Sequence, residues 1–443
     1  MALGDPLAYV RALHFAATIL AAGAVIFATL VAAPAFAAAA TGTPERAPVD
    51  GDGVIAHLRR CWAWLICASL AVAVLSGAIW LILLAAGIYD APVAEVLRNG
   101  GLWTVAGETR FGQVLLGRLA AAVLLTVSVA ALMRSGGRGL LGALAVVLAI
   151  AVLIAPAWTG HAGATPGAAG QFPLAADALH LAAAGVWLGG LPPLAMLLAA
   201  AWRQKESRWD VNIATAVHRF SVLGMISVGT LLASGFVNSW YEVGTLNNLF
   251  STTYGQLVLV KIGLFAAMIA LASVNHFYLT PRLASADAVH RLYRNSLTET
   301  ALGFAAVFVV GFLGAMAPSS HTHQHPVYAA VPEGAAFVHI HSVAGMADVT
   351  IMLGHVGTAR ATIRLWTEED DPLIVQNLTF TLTPPDAASK PVVRTATQVQ
   401  SGLWQVDGIE LAQPGNWTAA VNAELNAGHR LALQAPIVIE PEQ

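Results

Sequence analysis

Eight stretches of roughly 18 or more mostly apolar residues, at about 7–34, 61–88, 112–133, 139–158, 173–201, 217–241, 255–280 and 296–317, leave this chain few ways to fold. Runs of that length match the hydrocarbon thickness of a bilayer. There no water is at hand for peptide N–H and C=O groups, so each segment must satisfy its own backbone as a helix. Composition agrees: of 443 residues, 57% are hydrophobic and only 11% charged, against about 25% charged in soluble domains. The mean hydropathy is +0.67. The expected fold is a mainly α polytopic membrane protein with eight transmembrane helices.

From about residue 326 the pattern changes to short alternating runs such as "AFVHIHSV", "ARATIRLW", "NLTFTLT" and "NWTAAVNAEL", separated by Gly, Pro and Asp. Period two with β-branched and aromatic enrichment marks strands, which predicts a soluble β-sandwich of about 115 residues after the last helix.

Basic residues give an orientation. The connections after segments 1, 3, 5 and 7 carry twelve Lys and Arg residues, Arg59, Arg60, Arg134, Arg203 and Arg282 among them. The N-terminal segment and the connections after segments 2, 4 and 6 carry Arg11, Arg98 and Arg110. The odd connections are therefore expected in the cytoplasm, with the N-terminus and the β-domain outside. "AAPAFAAAA" could end a cleaved signal peptide, but Asp5 beside Arg11 is no positive cluster, so the stretch is taken as helix 1. A net charge of −3 and the lack of a dense basic patch argue against a nucleic-acid partner. Cys61 and Cys67 share one apolar segment and face different sides of a helix, forming neither a zinc motif nor a disulfide framework.

The chain repeats itself. "TRFGQVLLGR" (109–118) returns as "TTYGQLVLVK" (252–261); "LHFAA" returns as "LHLAA", setting His14 against His180; Ser76-Gly77 returns as Ser234-Gly235; and two segments end in Ala-Pro followed by histidine, Pro156 with His161 and Pro318 with His321. The expected organisation is two tandem four-helix units, 1–160 and 161–320, a His-rich linker at 321–325 and the β-domain at 326–443. Four is even, so both units cross the bilayer in the same sense, a parallel repeat of the kind transporters use to place a site between halves.

The repeat puts matching histidines at one depth. His14 and His180 lie about seven residues into their helices, roughly 10 Å at 1.5 Å per residue, and His161 and His321 lie at the outer rim. Four imidazoles converging on the outer third would suit copper, zinc, iron or nickel; the plainer account is that each bonds a neighbouring helix or sits among headgroups. Arg118 and Lys261 stand at similar depth. They either snorkel to the surface or pair with Asp177, Glu108 or Glu242, or with an anionic cofactor group. In the repeated phrase, Gly would permit close packing, Gln and the aromatic would occupy the interface and the cation would anchor the depth.

"HLAAAGVWLGGLPPL" (180–194), "FSVLGMISVGTLLASGFVNSW" (220–240) and "TYGQLVLVKIGLFAAMIALASVNHFYLTPRL" (253–283) resemble the copper resistance protein D (CopD) family of bacterial inner-membrane proteins, most clearly over helices 5 to 8 and through the repeat over helices 1 to 4. The resemblance implies copper movement across the cytoplasmic membrane, with a periplasmic copper chaperone as a partner. "HIHSVAGMADVTIMLGHVG" and "GNWTAAV" are similar to YtkA-like or CopC-like β-sandwiches. On this reading His321, His323 and His325 of the linker, His339 and His341 on one face of a strand, and Met346 and His355 after them collect copper, an imidazole and thioether set suited to either oxidation state. The alternatives are a solvated linker and plain surface histidines.

On the cytoplasmic side His218, His276, Glu299 and the two cysteines could take part in release, with interfacial solvation the plainer account. No nucleophile and base pattern, phosphate loop or HExxH motif occurs, so nothing argues for hydrolysis, and transport would be passive or driven by an ion gradient. A second reading is a membrane redox protein holding haem b between transmembrane histidines, with Arg118 or Lys261 on its propionates. A third is a copper sensor or chaperone anchor that moves nothing.

Overall fold

The computed structural model describes residues 6–40, 51–89, 91–135, 139–160, 168–204, 210–314, 316, 335–342, 345–353, 359–366, 372–385, 390–411, 414–425 and 430–439. The chain divides into a helical unit, Met1–Thr322, and a β unit, His323–Gln443.

The helical unit has eight helices long and apolar enough to cross a membrane. They are α1 (Pro6–Ile26, continuing through a π-helical stretch Phe27–Ala32 into Ala33–Ala40), α2 (Gly51–Ile88), α3 (Arg110–Ser135), α4 (Leu140–Ile154), α5 (Ala168–Gln204), α6 (Asp210–Val243), α7 (Thr253–Val274) and α8 (Ala286–Leu313). Large apolar side chains such as Leu75, Ile79, Leu124, Val127, Ile226 and Phe236 are exposed along them. A water-facing surface would not carry so many, so they face lipid. The protein is a multi-pass membrane protein. All eight apolar segments are helices, but α2 and α8 start about ten residues before the apolar runs do. A helix continues past the bilayer as long as its backbone bonds are met, and a hydropathy pattern marks only the part in hydrocarbon.

Two helices lie at the middle. α1 packs on α2, α4, α5 and α8, and α5 packs on α6, α8, α1 and α4. Their mutual contact is built on glycine. A Cβ on Gly23 would come 2.4 Å from backbone atoms of Gly185 and Gly189, and one on Gly189 would come 2.0 Å from the Ile19 carbonyl oxygen and 2.9 Å from Gly23 Cα. In hydrocarbon the helices gain nothing from burying apolar surface against each other, so such close backbone approach supplies the packing attraction. Just beyond the contact α1 loosens into its π stretch, where the Arg219 Nε–H donates to the Leu30 carbonyl at 3.1 Å, and α5 carries Pro192 and Pro193 in its interior. Prolines inside a spanning helix are tolerated where neighbouring helices cover the freed carbonyls.

The repeated phrase starts α3 and α7. Thr109 and Thr252 adopt extended backbone angles, and their hydroxyl oxygens accept from the N–H groups of Gly112 and Gly255 at 3.0 and 2.9 Å, an N-cap in each case. A Cβ on Gly112 would lie 2.2 Å from the Val105 carbonyl oxygen, and one on Gly255 would lie 2.3 Å from that of Asn248. Each glycine therefore lets a short preceding helix, Gly101–Glu108 or Leu246–Ser251, fold back against the first turn. The glutamines do more than sit at an interface, since Gln113 and Gln256 donate to the carbonyls of Gly107 and Phe250.

In the β unit, β1 (Ala335–Ser342), β2 (Gly345–Leu353), β3 (Ala359–Trp366), β4 (Val375–Thr383), β5 (Val392–Thr395), β6 (Thr397–Gln400), β7 (Leu403–Ile409), β8 (Gly415–Leu425) and β9 (Arg430–Ile439) form two antiparallel sheets. Their orders are β1-β2-β3-β7-β6 and β5-β4-β8-β9. Alternate residues of both, among them Val349, Ile351, Ile363, Leu378, Phe380 and Val421, share one core, which makes the predicted sandwich. On the exposed side of β3 and β7 Arg360 pairs with Asp407, and this bond, with a second from Gln405, holds the Asp407 carboxyl below the usual carboxylate range. The support it gives is present above the unfolded carboxylate pKa and is lost as pH falls through the depressed folded value.

Gly189→Ala should be destabilising by about 1–3 kcal/mol, the usual cost of overpacking, because the new methyl group meets backbone that cannot swing aside. Gly87→Ala, where a Cβ has open space, should leave thermal stability in detergent unchanged. Equal melting temperatures for the two variants, followed by fluorescence-detected size exclusion, would rule out the glycine crossing as the centre of the fold.

Candidate functional site

The end of the bundle at which the odd-numbered helices begin, the near end, holds one histidine socket in each half. His14 of α1 is buried against α2. Its Nδ1 lies 2.9 Å from the Ala73 carbonyl oxygen and 3.2 Å from Ser76 Oγ, while the Ser76 hydroxyl donates to Val72 O at 2.6 Å. With the serine proton spent on Val72, Nδ1 carries the imidazole hydrogen, and Nε2 is left with a free lone pair. That Nε2 is buried with no hydrogen-bond partner. A Cβ at Gly77 would stand 3.1 Å from the ring.

His180 of α5 repeats the arrangement against α6. Its Nδ1 lies 3.1 Å from Ser234 Oγ, the Ser234 hydroxyl donates to Thr230 O at 2.6 Å, and a Cβ at Gly235 would stand 3.4 Å from the ring. The same argument assigns the hydrogen to Nδ1 and frees Nε2.

Around these sockets the halves differ. In the first, Trp80 meets His14 edge-on at 5.5 Å, contacts Phe15 and Phe111 at 5.6 and 5.0 Å, and lies under the Arg11 guanidinium at 5.2 Å. In the second, the residues at the positions of Trp80 and Phe111 are Asn238 and Tyr254. Asn238 donates to Asp177 at 3.4 Å, and the Tyr254 hydroxyl donates to Glu242 at 2.9 Å. Arg118 lies within electrostatic reach of His14, and Lys261 within reach of both His180 and Asp177. Snorkelling does not describe Arg118, which is only 5% exposed.

The far end of the second half contains a cavity of about 220 Å³ between α5, α6, α7 and α8, lined by Trp187, Ser221, Asn275, His276, Ser296 and Glu299 among others. Asn275–Leu279, directly after α7, is a π-helical turn, a feature that often re-aims side chains at working sites. It brings His276 Nδ1 to 2.6 Å from Ser221 Oγ and lets Asn275 donate to Glu299, with Asn295 donating to Asn275 at 2.8 Å. Interfacial solvation, the plainer reading of Glu299, is overturned, since the residue is 2% exposed. The early start of α8 is the reason: Glu299 stands thirteen residues, about 20 Å, from its beginning. His218 is exposed, and Cys61, a free thiol like Cys67, contacts His57.

His14 and His180 are each seated in their own half, and no hydrogen bond or ring contact joins them among the described residues. His161, His321, His323, His325 and His355 lie outside the described residues. For His339 and His341 the backbone register is known: they stand opposite Asp348 and Met346. Met346 is buried. Among the described residues no three His, Cys, Asp or Glu side chains are grouped closely enough to hold a metal ion. In the sequence alone Ser76 and Ser234 stand only as marks of the repeat. Their recurrence one helix after each matched histidine, with a glycine beside each, was the signal that they hold the ring.

Residues 3–171 match the family described as Copper resistance protein D-like, N-terminal domain, and residues 214–313 match Copper resistance protein D. A Bacillus subtilis protein named Copper transport protein CutJ is 27% identical over 322 residues, 71% of this chain and 56% of that protein, so the chain spans little more than half of its length. Copper resistance protein D of Pseudomonas syringae pv. tomato is 33% identical over 222 residues, 48% of this chain and 70% of that protein. Inner membrane protein YebZ of Escherichia coli is 28% identical over 219 residues, 49% and 72% of the two chains. No solved structure matches the chain. With one family match on each half of the helical unit and a relative that shares a third of its aligned residues, this chain belongs to the copper resistance protein D family.

Proposed function

We propose that the protein carries copper across the bacterial inner membrane, with its N-terminus and β unit on the periplasmic side. The observation that bears the most weight is the pair of histidine sockets. A ligating imidazole typically donates its second ring N–H to a fixed acceptor, which sets the tautomer and orients the free nitrogen. Ala73, Ser76 and Ser234 do this for His14 and His180. The names of the relatives, copper transport and copper resistance proteins, support copper as the ion. The linker and strand residues His321, His323, His325, His339, His341, Met346 and His355 would collect it, alone or from a periplasmic chaperone.

Beyond the sockets the path runs within the second half. Between the halves the Gly23–Gly189 contact leaves no room for an ion. The second half has polar groups at both ends: His180, Asp177, Asn238 and Glu242 at the near end, and Ser221, His276, Asn275 and Glu299 at the far end. One helix, α6, reaches both through Ser234 and Ser221, thirteen residues or about 20 Å apart. The function proposed is transport without catalysis, and movement would follow a gradient.

His14→Ala and His180→Ala should each weaken copper binding by the full loss of a ligand, and Ser76→Ala and Ser234→Ala by roughly ten-fold, the usual effect of removing a ligand's outer partner. Isothermal titration of the purified full chain measures this; unchanged affinity in both histidine variants removes the sockets from the site. Glu299→Gln should slow copper flux into proteoliposomes while leaving near-end affinity unchanged, whereas a matched loss of both would place Glu299 in the fold and not on the path. Removing residues 326–443 should reduce flux more at low copper than at high copper, and equal loss at both would give the β unit a structural role.

A further inference from the structure

Arg118 is a buried cation with no acid from its own half among its electrostatic partners in the described residues. It is 95% buried, its Nε has no hydrogen-bond partner, and it lines a cavity of about 360 Å³ between α3 and α4. The four spans of the first half contain no Asp or Glu at all. The matching cation of the second half, Lys261, has Asp177 within electrostatic reach, and Asp177 in turn lies beside Glu242. At the positions of those two acids the first half has Arg11 and Leu84. Among the described residues the repeat has therefore kept the cation in both halves and the counter-charge in one, and a guanidinium held away from water without an anion is costly.

The rest of the cavity says what the anion is attached to. Val114, Ala121, Ala151 and Ile154 give it an apolar wall, and Trp158, 37% exposed, stands beside them at the end of the span, where tryptophan prefers the interface between hydrocarbon and headgroups. Exposed Leu116 and Val147 on the same two helices put acyl chains next to it. We infer that this cavity binds the phosphate group of an anionic phospholipid, with the Arg118 guanidinium bonding the phosphate oxygens and the apolar wall holding the glycerol and first acyl carbons. A planar guanidinium matches phosphate geometry, and a free phosphate ion would leave the apolar wall without a partner.

The full chain, extracted in detergent and washed free of loose lipid, is tested with phosphatidylglycerol as the probe and with phosphatidylcholine and inorganic phosphate as comparators. Bound lipid is counted by native mass spectrometry and its effect read as a shift in melting temperature. Phosphatidylglycerol should bind and stabilise the protein. Arg118→Met should weaken that binding by roughly ten-fold or more, as expected for losing a charge-assisted hydrogen bond, and Arg118→Lys by less. Should Arg118→Met not fold, Ala151→Trp fills the cavity with the arginine in place and should also lose the lipid. Equal retention of phosphatidylglycerol in wild type and Ala151→Trp overturns the site; equal affinity for phosphatidylcholine overturns the anionic choice; and the same shift from inorganic phosphate alone overturns the lipid. None of these readouts depends on copper.

Discussion

The backbone contact between Gly23 and Gly189 governs this membrane unit. The two residues are separated by 166 positions, as are His14 and His180. Residues equivalent under the repeat touch each other there, so the local twofold relation runs through the contact. Each histidine then sits nine residues before its glycine, at one depth, on helices that cannot separate. Because a methyl group at either glycine would strike backbone, the same contact that sets the histidines level also shuts the interface between the halves. A duplicated bundle thus obtains two equivalent sockets and loses the axis as a passage.

What duplication equalised, later substitution made unequal. The imidazole, the serine that fixes its tautomer and, next to that serine, the glycine that makes room for the ring occur in both halves. Their surroundings diverge: an aromatic cluster about Trp80 in one, an acidic and amide cluster about Asp177 and Glu242 in the other. Apolar aromatic walls close a space to ions, and carboxylates attract them, at energies that rise as the local dielectric falls. The same imidazole therefore meets apolar rings in one half and acids and an amide in the other. An anion bound at Arg118 would offset the field of that cation at His14.

Much of this was legible in the sequence because the bilayer makes it so. Eight apolar runs required eight helices, alternation after residue 326 required strands, and a repeated Thr-x-aromatic-Gly-Gln announced two equivalent helix starts. The N-cap role of Thr109 and Thr252 could have been read as well, since Thr immediately before an apolar helical run is a capping signal. The surroundings of single polar residues could not. Glu299 reads as interfacial because it sits at the edge of an apolar run, and only the early start of α8 takes it inward. Arg118 reads as a snorkelling anchor until its side chain is seen enclosed. A hydropathy pattern records how apolar a stretch is, and which neighbour a given side chain meets is decided by helix packing.

The far-end cavity follows from the same logic. A π turn adds a residue to one helical turn and rotates everything beyond it; at Asn275–Leu279 it turns Asn275 and His276 toward α6 and α8, where Ser221 and Glu299 meet them. A buried carboxylate held by one amide chain, in a cavity that an imidazole also lines, is poorly solvated as an anion, and a passing cation would relieve that cost. α6 links this cavity to the near-end socket through two serines on one rigid rod, so a displacement of α6 at Ser234 must be felt at Ser221. Any coupling between the two ends has a physical carrier in that helix, which packs along α5.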